Sequence, residues 1–117
     1  MPDWTPNWIP DWTDVAFDHK AAAVAAEQCD AMAVKLRDGM AERDRLATSA
    51  RQGWEGRSRD DFDAGYLALD YDTSHAERGL RALAAAIRSA SASAAAEQRS
   101  RVAERERWQR ERAAADQ

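Results

Sequence analysis

The sequence predicts an all-α protein: an antiparallel two-helix hairpin whose second helix runs on as an extended C-terminal helix. Three observations carry that expectation. Alanine, arginine, glutamate and aspartate dominate the 117 residues, a mixture that favours long helices over sheets. Apolar residues recur at three- and four-residue steps through two long stretches. Between those stretches, Gly53-Trp54-Glu55-Gly56 interrupts the periodicity with two glycines. The chain reads as a Pro/Trp-rich arm over residues 1–13, a hairpin over 14–96 and a charged helical extension over 97–117.

In the arm, Pro2, Pro6 and Pro10 recur every four residues and forbid a regular helix. Trp4, Trp8, Ile9 and Trp12 give it more apolar surface than a free tail normally shows. Such side chains pack on the domain's own flank or on another chain, so Trp4, Trp8 and Trp12 are candidate partner contacts. The start lacks both a basic region and an apolar core, which is not the pattern of an ordinary signal peptide.

The first helix is expected over about residues 14–51, with Asp14 as its N-cap. Ala22, Ala25, Cys29, Met32, Leu36, Gly39, Arg43, Leu46 and Ala50 define an apolar stripe, thin enough for a neighbouring helix to come close. Arg43 interrupts it, its stem covering apolar surface while the guanidinium reaches for water. Cys29, the single cysteine, cannot close an internal disulfide and reads as a small buried hydrophobe.

The turn follows. Gly53 can end the first helix, and Gly56 can take a positive φ that most residues avoid. Trp54 is expected to fold back and plug the end of the hairpin, its indole N–H on an exposed carbonyl. Its loss would then cost on the order of 3 kcal/mol. The second helix is expected from Ser58, with Asp61 completing a capping box. Phe62, Tyr66, Leu69, Thr73, Ala76, Leu80, Leu83, Ile87, Ala90 and Ala94 repeat at four and three, the left-handed packing signature of long helices. The packing or dimer seam is therefore assigned to Met32, Leu36, Leu46, Phe62, Tyr66, Leu69, Leu80, Leu83 and Ile87. Two hairpins pairing through it would make a four-helix bundle.

Beyond Glu97 the apolar seam nearly vanishes, leaving Val102, Ala103 and Trp108 among charges. That section is expected to be solvated, fraying helix, or an overhang that waits for another helix, with Trp108 as a partner contact. Fifty-odd helical residues would extend about 80 Å, against about 57 Å for the first helix, so the two arms cannot match.

Composition also bounds function. Net charge is −4, and residues 97–117 hold six arginines against five acids, so no concentrated positive field forms for nucleic acid. No run of about 18 apolar residues could span a bilayer. His19 and His75 fall in different helices; in a hairpin turning near residue 55, His19 lies opposite about residue 91, far from His75. They make a poor metal site, and no cofactor is expected. Asp60, Asp61, Asp63, Asp70 and Asp72 read as cap and solvated face rather than a catalytic pair, since two packed helices offer little cleft. Ser89, Ser91 and Ser93 read as tight helix contact, with no base expected beside them. No enzyme is expected.

Trp54-Glu55-Gly56 between two amphipathic helices, with Phe62 eight residues after the tryptophan, resembles the WXG family of helical-hairpin proteins handled by type VII secretion systems. The resemblance covers roughly residues 14–96. It implies a non-enzymatic protein that pairs with a homologous hairpin, as homo- or heterodimer, and serves as secreted substrate, secretion partner or effector. Trp54 and Gly56 would then face the secretion machinery. The family's export signal is Tyr-x-x-x-Asp or Tyr-x-x-x-Glu after the second helix. Tyr66-Leu67-Ala68-Leu69-Asp70 fits the letters but starts on the core seam, and the C-terminal region holds no tyrosine. The competing expectation is an intracellular helical scaffold or adaptor that stays in the cytoplasm, its tail and tryptophan arm binding other protein.

Overall fold

The computed structural model describes residues 8–116. Helix α1 spans His19–Arg51 and helix α2 spans Arg57–Ala115, and no strand occurs among the described residues. The chain divides into two units. One comprises Lys20–Arg88; the other pairs the N-terminal segment to His19 with Ser89 onward.

The first is the hairpin unit, an antiparallel pair of helices. Its turn depends on two backbone positions. Gly53 has φ 72° and Gly56 φ 103°, and both are open enough for a Cβ, so conformation rather than space favours glycine. Gly53 lets the Trp54 N–H turn back onto the Arg51 carbonyl at 3.0 Å. The Gly56 carbonyl accepts the Asp60 N–H at 3.2 Å, which starts α2 one residue before Ser58. Ser58 therefore does not cap the helix as expected; its hydroxyl is spent on Trp54.

The inner seam of this unit is alanine. Ala26, Ala33 and Ala84 are fully buried, with Ala47 and Thr73 nearly so, and no large side chain among the described residues is fully buried. Each alanine buries little more than a methyl group, so the pairing gains from close backbone approach rather than bulky side chains. The inward residues step by four and three: Ala22, Ala26, Cys29, Ala33, Leu36, Met40, Arg43 and Ala47 on α1, then Tyr66, Asp70, Thr73, Glu77, Leu80, Ala84 and Ile87 on α2. The repeat has the expected period, but half of it is displaced by one residue. Where sequence placed Met32, Leu46, Leu69 and Leu83 inside, the structure places Ala33, Ala47, Asp70 and Ala84.

A polar layer crosses the seam. Arg43 donates to the Thr73 hydroxyl at 3.0 Å, while its Nε is buried without a hydrogen-bond partner, so its guanidinium does not simply reach water. Asp30–Arg88 at 2.8 Å and Arg51–Asp63 at 2.7 Å tie the helices further.

The second is the arm-and-tail unit. Residues 8–18 are non-helical and cover part of the C-terminal section of α2. Helix α1 begins at His19, not near Asp14, because Asp14 has tertiary partners instead of an N-cap role. The tail is helical: α2 continues to Ala115, and Ser91, Ala94, Gln98, Arg101, Arg105 and Trp108 keep the four-three spacing of covered positions.

Candidate functional site

Three features could engage other molecules. The first is the turn of the hairpin unit. Trp54 is half-buried, its ring 5.3 Å from Phe62, and its indole N–H donates to the Ser58 hydroxyl at 3.0 Å rather than to a carbonyl. Arg59 closes the turn by donating to the Trp54 carbonyl at 2.9 Å. Asp63 accepts from Arg51 and Arg59 together. Burial pushes its carboxyl up, but the Arg51 hydrogen bond and the Arg59 charge outweigh that and hold it below the usual range. The Arg51 guanidinium also lies over the Phe62 and Tyr66 rings, at 5.6 and 5.1 Å. Tyr66 donates its hydroxyl to Asp44, which with burial raises the phenol's pKa. Sequence reasoning found Trp54 and Gly56 but missed Arg51, Arg59 and Asp63. Their opposite charges across a four-residue step and a tight turn were the available signal.

The second feature is an apolar flank of the hairpin unit. Leu36, Phe62, Tyr66, Leu80 and Ile87 are half-buried, whereas Met32, Leu46, Leu69 and Leu83 are 56, 60, 46 and 51% exposed. Each of these four sits one residue before an inward position. One residue turns any α-helix by about 100° in the same sense, so equal steps in an antiparallel pair lead to the same flank. A shallow groove lined by Arg43, Leu46, Ala47, Ala50, Phe62 and Tyr66 bears this out, since it joins Leu46 of α1 to Phe62, which shares the Leu69 and Leu83 spacing on α2. Along this flank small and large residues alternate every seven on α1, as Ala25, Met32, Gly39 and Leu46, while the α2 row runs Phe62, Leu69, Ala76 and Leu83, with one small residue among three large ones. Val24, Val34, Leu67 and Tyr71 are also exposed but lie off these two rows.

The third feature is the clamp of the arm-and-tail unit. Pro10 is buried, and Asp11 accepts both the backbone N–H and the hydroxyl of Thr13, at 2.9 and 2.6 Å. The Thr13 carbonyl receives Arg101 at 3.0 Å and Arg105 at 2.6 Å. Arg105 also donates to the Asp11 carbonyl at 2.8 Å and to Asp14 at 2.9 Å, and Arg101 pairs with Asp11 at 3.4 Å. Gln98 completes the set by accepting from the Val15 N–H and donating to Asp14. A non-helical arm leaves its carbonyls open, and a guanidinium's fork of donors suits them. Hydrogen bonds from Thr13 hold Asp11 below the usual carboxylate range, and those from Gln98 and Arg105 do so for Asp14, with arginine charges adding to both. Trp12 meets Trp108 edge to face at 5.5 Å, and Arg107 lies over Trp8 at 4.7 Å. Trp4 lies outside the described residues.

His19 does lie opposite residue 91. Its Nδ1 is 2.6 Å from the Ser91 hydroxyl, so the serine tract has a base beside it, contrary to expectation. The pair sits on exposed surface at the start of α1, where it serves as a contact between chain segments. Among the described residues no group of three or more His, Cys, Asp or Glu could hold a metal ion, and no helix is long and apolar enough to cross a membrane.

Fold and surfaces together define a helical-hairpin protein capable of helix–helix contacts. Comparison with protein-family models, curated proteins and solved structures finds no match, so the resemblance carried by Trp54 and Gly56 stands on those residues and the hairpin alone.

Proposed function

We propose that the chain is a non-enzymatic helical adaptor that works by packing its apolar flank against a second helical hairpin. The observation that supports this reading is the exposure of Met32, Leu46, Leu69 and Leu83 in two seven-residue rows on one flank. Large residues interspersed with small ones, glycine and alanine on α1 and alanine on α2, suit knobs-into-holes packing in a four-helix bundle. Light scattering tests it. The chain should form a complex with itself or with a hairpin encoded beside it, and L46K with L83K should abolish that complex while helical content holds. A monomer at all concentrations, unchanged by the neighbouring hairpin, overturns the reading.

A second, finer reading places the adaptor among WXG-like partners of type VII secretion. The half-buried Trp54, fixed at the hairpin turn by Ser58, Phe62 and Arg59, favours it, because a secretion machine could read the ring's open side. Appearance in culture supernatant, lost on removal of the secretion ATPase and lost in W54A with folding intact, is the expected result. Normal export of W54A, or no export at all, removes this reading and leaves the adaptor.

A further inference from the structure

The arm carries a repeat. Pro-Asp-Trp-Thr occurs at residues 2–5 and again at 10–13, with Pro6-Asn7-Trp8-Ile9 between them. The second copy is the segment held by α2, and each of its letters has a task. Pro10 is buried and, lacking an N–H, leaves no donor unsatisfied there. Asp11 folds the backbone by accepting from Thr13 and offers its other oxygen to Arg101. Trp12 places its ring against Trp108. The Thr13 carbonyl takes donors from both Arg101 and Arg105. The intervening tetrapeptide lacks the carboxylate and the hydroxyl, so it could not repeat these contacts.

We propose that the Arg101–Arg105–Trp108 face of α2 is a receptor for the Pro-Asp-Trp-Thr segment, occupied within one chain by Pro10–Thr13, and that Pro2–Thr5 of a second copy is its ligand when that occupant leaves. Arg101 and Arg105 are the receptor's binding residues, with side chains only 22 and 16% exposed in the occupied state. Asp14, Val15 and their bonds to Gln98 and Arg105 lie outside the repeated four letters, and Pro6 follows the first copy instead. The ligand in trans is therefore weaker than the tethered occupant. A short tether also holds that occupant at an effective concentration on the order of millimolar, so exchange requires its release. Exchanging one segment for an identical one costs few contacts and links one molecule to another.

The test uses the full chain. A fluorescein-labelled peptide with the sequence of residues 1–9 is titrated by anisotropy against wild type and against W4A/D11A/W12A, in which neither copy can fill the site. The variant should bind at least tenfold more tightly than wild type. Adding R101Q/R105Q should remove that binding with helical content unchanged, and a peptide with Ala at the Trp4 position should not bind. Equal affinity for wild type and variant, or binding that survives R101Q/R105Q, overturns the receptor. For the source of the ligand, W4A/D11A/W12A is mixed with D11A/W12A/R101Q/R105Q, which keeps only Pro2–Thr5 and no receptor, both chains carrying L46K/L83K so that the apolar flank forms no complex. A 1:1 complex by light scattering, lost when Trp4 is also replaced in the second chain, supports exchange between copies. Peptide binding without that complex overturns the second copy as the ligand's source.

Discussion

Between Phe62 and Arg88, α2 is covered by another helix, and the covered positions are alanine and threonine at the centre with half-buried Leu36, Met40, Leu80 and Ile87 between them. Between Gln98 and Trp108 the same helix is covered by non-helical chain, and the contact is made of arginine donors, open carbonyls and two tryptophans. The spacing of covered positions is four and three in both. What differs is the state of the covering backbone. A helix has already satisfied its own carbonyls, so it offers only side-chain surface and rewards small residues. A proline-bearing arm has carbonyls to spare, so it rewards guanidinium groups. The comparison teaches that a heptad spacing fixes which face of a helix is covered, while the residues on it select what does the covering.

The sharpest way to break the contrast is to overfill the alanine seam. A33L, at a fully buried position, should force the helices apart and cost about 1–3 kcal/mol, read as a lower midpoint in thermal or urea unfolding. The same enlargement at Ala76, on the open flank, should leave the midpoint of the uncomplexed chain unmoved. Next comes W54A. The ring is half-buried rather than core, so the expected loss is about 1–2 kcal/mol, below the figure its sequence context suggests. A loss above that range would mean that Trp54 is covered in solution, for instance by a partner.

Releasing the arm should have a different signature. R101A/R105A should leave the unfolding midpoint of the hairpin nearly in place while changing tryptophan fluorescence and opening residues 8–18 to proteolysis. If instead the whole chain loses helicity, the arm is part of the folding core and the contrast fails. Acid should do the same more gently. Asp11 and Asp14 have lowered pKa values, so their contribution is complete above the ordinary carboxylate range and is lost as pH falls through the depressed folded values. The arm should stay docked from pH 8 to 5 and loosen below about pH 4, followed by tryptophan fluorescence. The smallest effect belongs to Arg107–Glu111, an exposed i,i+4 pair at 3.0 Å, whose removal should change stability by no more than a few tenths of a kcal/mol.

Much of this was legible in the residues. The two glycines and the composition determined a helical hairpin and its turn, because positive φ at Gly53 and Gly56 is a local demand that only a few residue types meet. Register followed from the turn: once it lies near residue 55, His19 must come near Ser91. Trp54 and Gly56 were legible for the same local reason. The frame of the seam was not. Both Met32 and Ala33, both Leu46 and Ala47, both Leu83 and Ala84 fit an apolar stripe at one or the other setting of the helix. Sequence ranks such positions by hydrophobicity and so buries the larger residue. The folded pair instead ranks settings by how closely two backbones approach and by which charges meet across the gap, and that favoured Ala33, Ala47 and Ala84 with Asp30–Arg88 and Arg51–Asp63. The clamp was hidden for a related reason. Asp14 reads as a cap and Arg101 and Arg105 as solvated charge, because their partners lie more than eighty positions away in the chain. Sequence by itself determined what each segment's backbone could be; only the tertiary structure decided which faces meet, since that depends on distances between residues far apart in the chain.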